Sequence, residues 1–201
     1  MWYNKSIKLH RSVIMRLLGL WENCSVLEGY SYMCGYCDKE VAPNRGYYCK
    51  EEFYREYVIG ICPNCNFPTF LAHSGEEQVP PPRKGKSIDH LPEEIDKIYT
   101  EIRECYSQNA YTASVLLARK ILMNVAVHLG AQEDKNFYYY VGYLDTEGYI
   151  PKNSKGWVDI IRKKGNEATH ELPDITKKDA EDVLAFTEML LRILYEFPAK
   201  I

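Results

Sequence analysis

Two pairs of cysteines, Cys34-Gly35-Tyr36-Cys37 and Cys62-Pro63-Asn64-Cys65, carry the clearest chemistry in the sequence. A C-x-x-C turn sets two sulfurs about one ion, and its backbone amides can stabilise the thiolates. Two such turns supply the four soft ligands that Zn²⁺ takes in a tetrahedron. Between them, the stretch around Gly46-Tyr47-Tyr48 and the stretch 53–61 read as a hairpin. The pattern predicts a zinc ribbon that holds one structural Zn²⁺ on Cys34, Cys37, Cys62 and Cys65. A thioredoxin-like redox pair would need a βαβ setting, which this sequence lacks. Cys24 and Cys49 are the substitutes should one ligand differ. Cys49 otherwise reads as a small buried residue, and Cys105 as part of a helix core.

A second stretch with chemical potential is 157–170. If helical, it spaces Arg162, Asn166 and His170 four residues apart on one face, while Trp157, Ile160, Ile161 and Ala168 lie on another. Histidine moves protons near neutral pH, and arginine holds a phosphate with two hydrogen bonds. Asparagine can orient the histidine, and attack by an RNA 2′-hydroxyl needs no metal. The structural alternative is that Asn166 and His170 cap the helix before Leu172-Pro173 while Arg162 is solvated. Arg119 is a third oddity, because it sits between Val115 and Leu122 on an apolar stripe. A charge there must be paired or must face a cleft. It pairs with an acid such as Glu101 or Glu104, or it binds an anion in the cleft of His170.

The elements that must position these residues fall into distinct segments. Residues 1–29 have no clear assignment, although 12–21 could form a short amphipathic helix or strand. Residues 30–72 are rich in Tyr, Phe, Cys and Gly, with turns at Pro43-Asn44-Arg45-Gly46 and Pro63-Asn64, which predicts short strands. Their tyrosines form the ribbon's own core or offer stacking surfaces for single-stranded bases. Residues 73–90 contain three consecutive prolines and read as a semi-rigid linker. From Leu91 the period becomes helical. Helices are expected from Leu91-Pro92-Glu93-Glu94 through Tyr106, over 110–129 with Gly130 as a cap, over 138–144, over 156–170, and from Thr176 to about Phe197. The fold class is therefore α+β: a small N-terminal β zinc ribbon, then an all-α bundle over 91–201.

Composition narrows the functional classes. The chain has 201 residues and a net charge of -3, so no global attraction to nucleic acid or anionic membrane is expected. Seven cysteines, four of them in metal-type pairs, suggest a reducing cytoplasmic compartment rather than a secreted disulfide framework. No apolar run is long enough to cross a membrane. The N-terminal stretch, broken by Arg11 and Arg16, is not a convincing signal peptide.

Residues from about Leu91 onward resemble an uncharacterised bacterial domain family associated with restriction and other defence proteins, itself similar to the HEPN superfamily of helical bundles. The resemblance rests on Leu91-Pro92 with Tyr99 and Glu101, on Ala110-Tyr111 with 118–122, on Gly148-Tyr149-Ile150-Pro151, and on 161–171 with its Gly165-Asn166 and His170. A zinc ribbon often precedes this domain. Active HEPN members are metal-independent ribonucleases with an Arg-polar-x-x-x-His motif that meets its copy at a dimer interface. Asn166 and His170 fit that arrangement, but Gly165 stands where the arginine would be, and Arg162 lies one turn earlier. The resemblance thus implies an HEPN-like bundle and a homodimer through the helices. The protein is then a non-catalytic interaction or dimerisation module in a defence or nucleic-acid system, with a defence-protein or RNA partner. The alternative is a metal-independent endoribonuclease that uses His170 with Arg162 or Arg119.

Overall fold

Short strands around paired cysteines, followed by long amphipathic helices, give two separate units in the computed structural model, Met1–Pro82 and Arg83–Ile201. The structure describes residues 20–49, 57–72, 76–151, 154, 156–161, 163 and 175–201.

The first unit holds strands β1 (Ser25–Val26), β2 (Tyr32–Met33), β3 (Glu40–Val41), β4 (Arg45–Tyr48), β5 (Tyr57–Ile61), β6 (Pro68–Ala72) and β7 (Glu77–Val79). Five of them form an antiparallel sheet in the order β1-β4-β5-β6-β7, and β2 and β3 form a separate hairpin. The expected hairpin between the cysteine pairs is β4–β5, with Tyr47 opposite Ile59. Each cysteine pair closes a tight turn between strands, the first from β2 to β3 and the second from β5 to β6. Among the described residues, eight buried side chains make the core of this unit, and Cys34, Cys62 and Cys65 are three of them. The segment 73–90 contributes to both units. Its Glu77–Val79 adds a strand to the sheet, and the Gln78 amide donates to the carbonyls of Met33 and Pro80. The following prolines press on the first turn so closely that a Cβ on Gly35 would lie 2.5 Å from the Pro81 carbonyl oxygen.

The second unit packs α1 (Glu93–Ser107), α2 (Tyr111–His128), α3 (Phe137–Thr146) and α5 (Lys177–Leu191), with residues 156–161 helical as α4. α2 is central, in contact with α1, α3 and α5. The expected apolar stripes face inward: Ile95, Ile98, Tyr99, Ile102 and Tyr106 of α1, and Val115, Leu122 and Val125 of α2, are buried, while Leu129, expected on the same stripe, is half-buried just past the end of α2. Starts and stops follow from side-chain chemistry. Asn136 caps α3 by accepting from the Tyr139 amide, and Thr176 with Asp179 forms a capping box on α5. Gly130 sits at φ +104 after α2, where the Ala131 amide reaches back to the Ala126 carbonyl. The last helix departs from expectation. α-helical bonding stops at Leu191, and Arg192–Glu196 forms a π-helical turn closed by the Phe197 amide on the Arg192 carbonyl. Arg192 there binds Glu188 and Glu196 together and donates to the Ser87 carbonyl.

That last bond belongs to a strap. Residues 83–88 run across the helices with their backbone carbonyls turned inward. Arg103, only 3% exposed, donates to the carbonyls of Lys84 (3.0 Å) and Gly85 (2.9 Å), and Tyr99 donates to Lys86. Gly85 has φ +75, and a Cβ there would lie 2.7 Å from a Glu188 carboxylate oxygen. Ion pairs from Arg83 to Glu104 and from Lys84 to Glu181 line the strap's edges. Such exposed pairs contribute little, whereas a buried guanidinium that satisfies two carbonyls contributes more. Arg103→Met keeps the volume and orphans both carbonyls. It is expected to lower the stability of the helical unit by about 2–4 kcal/mol in urea unfolding followed by helical circular dichroism. A change within experimental error would show that water replaces the guanidinium there.

Candidate metal centre

The two cysteine turns share one backbone design. In the first, the Asp38 amide donates to the Cys34 carbonyl and the Cys34 amide to the Lys39 carbonyl. In the second, the Asn66 amide donates to Cys62 and the Cys62 amide to Phe67, in the same register. The residue after each pair takes a left-handed conformation, Asp38 at φ 55 and Asn66 at φ 64. Asp and Asn tolerate that region better than other residues with a Cβ. The sequence signal is thus longer than C-x-x-C: each pair is followed by an Asp or Asn that lets the chain turn back after the second sulfur.

This design brings four sulfurs together. Sγ of Cys34 lies 3.7 Å from Sγ of Cys65, and Sγ of Cys37 lies 3.8 Å from Sγ of Cys62. All four lie within 4.8 Å of one another. A tetrahedral ion with metal–sulfur bonds of about 2.3 Å needs sulfurs about 3.8 Å apart, so the spacing fits a metal ion such as zinc. The donor set fits as well, since four thiolates with no carboxylate favour soft or borderline ions.

Electrostatics explain why a cation belongs there. Burial pushes the Cys34 thiol up to about 11, although the Tyr36 and Cys37 amides counter it. Burial raises Cys65 further, with the Phe67 amide acting in the opposite sense. For Cys62 burial is again the largest single influence and acts upward. The amides of Cys65 and Asn64, with the thiols of Cys65 and Cys34, outweigh it, and the net shift is downward. Burial thus disfavours the thiolate at Cys34 and Cys65 unless a cation compensates. A metal ion entering the cluster must displace protons.

Neighbouring residues hold the second turn. Asn66 is 4% exposed. Its side-chain oxygen accepts from Arg45 at 2.7 Å, and its carbonyl accepts from the Trp21 indole at 2.9 Å. Sequence reading missed all three residues. The remaining cysteines stand apart from the cluster. Cys24 donates to the Trp21 carbonyl. Cys49, expected to be buried, is exposed, because it lies two residues beyond Tyr47 at the end of β4. Tyr30, Tyr32 and Tyr48 pack in or against the ribbon core, whereas Tyr36 stacks on Phe67 and Tyr57 on Phe70.

In the helical unit, Arg162, Asn166 and His170 lie outside the described residues. Arg119 is half-buried on α2, with its guanidinium 4.4 Å from the centroid of the Phe137 ring, and burial lowers its pKa. Glu104, one expected partner, pairs with Arg83. No described helix is long and apolar enough to cross a membrane.

A family model described as a domain of unknown function (DUF4145) matches residues 100–201, half of the chain. No curated protein and no solved structure matches it. The cysteine cluster lies outside the matched region and stands on its own geometry. Purified chain is expected to carry one zinc ion. Asn66→Val, which loses the acceptor and disfavours a positive φ, should weaken zinc retention about 10–100-fold in competition with a chromophoric chelator. Asn66→Gly should recover part of the loss. Equal retention in all three proteins would mean that the clamp around Asn66 does not set the site.

Proposed function

The chain belongs to the DUF4145 family, and on that premise we propose that it is a non-catalytic interaction module: a zinc-stapled ribbon joined to an HEPN-like bundle that dimerises. The setting in this reading, taken from the family resemblance, is a bacterial defence or nucleic-acid-associated system. The zinc is structural in this reading. Three of the eight core residues of the ribbon are cysteines of the cluster, so metal ligation, about 10–16 kcal/mol for sites of this kind, supplies what so small an apolar core cannot.

The observation that carries the interaction reading is the surface that α3 presents. Its sequence Phe137-Tyr138-Tyr139-Tyr140 buries two rings and turns two outward, with Tyr138 72% exposed. Tyr138 lines a pocket of about 200 Å³ together with Val141, Gly142, Ile150, Val158 and two acids, Asp145 and Asp159. An exposed tyrosine contributes little to a monomer's stability. Rigid aromatic rings beside a hollow of mixed apolar and polar lining are typical anchors of protein interfaces.

Light scattering at micromolar concentration is expected to show a dimer, and Tyr138→Glu should weaken association more than tenfold by burying a carboxylate in the contact. A monomeric wild-type protein would overturn this part of the proposal. The RNase alternative is separated by incubating the chain with RNA. The expected result is no cleavage that depends on His170. Cleavage by wild type that His170→Ala abolishes would replace the binding module with a metal-independent endoribonuclease.

A further inference from the structure

Strand register in the ribbon aligns an unusual set of side chains. Tyr47 stands opposite Ile59, Ile59 opposite Phe70, and Phe70 opposite Val79. The four therefore form one row across β4, β5, β6 and β7, on a single face of the sheet. Tyr57, two residues from Ile59, shares that face and stacks on Phe70 with ring centroids 6.1 Å apart and planes 12° from parallel. Ile59 and Phe70 are each 38% exposed and Val79 61%. The opposite face carries Val58 and Leu71, which pack with the cysteines. A sheet with one wet face normally alternates apolar inside with polar outside. Here the outward positions are apolar too, and a contiguous patch of that kind marks an interaction surface.

We propose that this row is a docking face for a basic amphipathic helix of a partner protein. The charges at its ends select that occupant. Glu77 lies opposite Ala72, on the same face as Val79. At the other end the Tyr47 hydroxyl donates to the Glu22 main-chain carbonyl at 2.5 Å, which places a second acidic residue beside the row. Arg45 shares this face and keeps its charge, with its guanidinium held at the neutral Asn66 side chain, so the two acids outnumber one base. An apolar middle with a net acidic rim is complementary to an apolar stripe flanked by lysine or arginine. Single-stranded nucleic acid would find rings to stack on, but its phosphates would meet carboxylates. A second copy of the row would bring acid against acid. Dimensions agree: four strands about 4.8 Å apart span about 14 Å, the length of roughly ten helical residues. Apolar positions at i, i+3 or i+4, and i+7 would meet the row, as in other helix-docking surfaces. The inference adds a second surface to the interaction reading and is independent of dimerisation through α3.

The test uses the full zinc-loaded chain and two labelled helical peptides in fluorescence anisotropy. Both carry the same leucine and isoleucine stripe, one with lysine flanks and one with glutamate flanks. The lysine peptide is expected to bind at least about tenfold tighter, with affinity that falls as salt rises. Ile59→Glu should abolish that binding while the zinc content stays at one. Should Ile59→Glu fail to fold, Glu77→Lys, an exposed change, should remove most of the preference for the lysine peptide. Equal affinity for the two peptides, binding unchanged in Glu77→Lys, or tighter binding of an oligothymidylate than of either peptide would overturn the proposal. So would self-association that Ile59→Glu abolishes.

Discussion

Four sulfurs that repel one another as thiolates, gathered where one cation could offset much of that repulsion, are the constraint on which the ribbon depends. Its strands are two to five residues long, too short to bury a core by themselves. They converge on the cysteine cluster instead, and the apolar side chains that close around it, Leu27, Val41, Val58 and Leu71, also keep water from it. The same enclosure raises the Cys34 and Cys65 thiols. The core is therefore stable to the extent that a cation offsets the penalty its own burial creates. The helical unit has no such dependence. Its core is a continuous set of mainly Ile, Leu, Val, Ala and Tyr side chains, most of them on α1, α2, α3 and α5.

The strap shows how backbone chemistry fixes the start of the helical unit. A segment rich in proline, lysine and glycine has few side chains to bury, so it is held by its carbonyls. Arg103, Tyr99 and Arg192 each donate to one or more of them, and Ile88 enters the core behind them. The π turn at Arg192–Glu196 belongs to the same arrangement. It carries the residue that bridges Glu188, Glu196 and the strap.

Much of this was legible in the sequence, for identifiable reasons. Cys34, Cys37, Cys62 and Cys65 could be grouped because a C-x-x-C turn is a local device whose geometry hardly depends on the rest of the fold. The helices were legible from the stripe of Ile95, Ile98, Ile102 and Tyr106, from Thr176 with Asp179, and from Gly130. Those are again local signals. Pairings distant in sequence were not legible. Nothing in the string says that Arg45 meets Asn66, that Gly35 must admit the Pro80–Pro81 backbone, or that Arg103 serves the strap rather than solvent. The proline run read as a linker by composition, because composition does not reveal that Gln78 anchors one end and that Arg103 holds the other.

The aromatic content of the ribbon is the case where composition alone left two readings, and strand register separates them. Tyr30, Tyr32 and Tyr48 satisfy the ribbon's own packing. Tyr57 and Phe70 do not, because alternation along β5 and β6 sends them to the face away from the cysteines. One tyrosine-rich sequence thus supplies both a core and a surface, and the difference is a single residue of register. A slip by one position in β5 would bury Ile59 against the cysteine cluster and expose Val58. The knuckle formed by Cys62 to Asn66 prevents that slip, since it joins β5 to β6 through a turn whose length and left-handed residue allow only one pairing. The cysteine turns therefore do more than stabilise the ribbon. They decide which of its aromatic residues face outward, and so what the surface can bind.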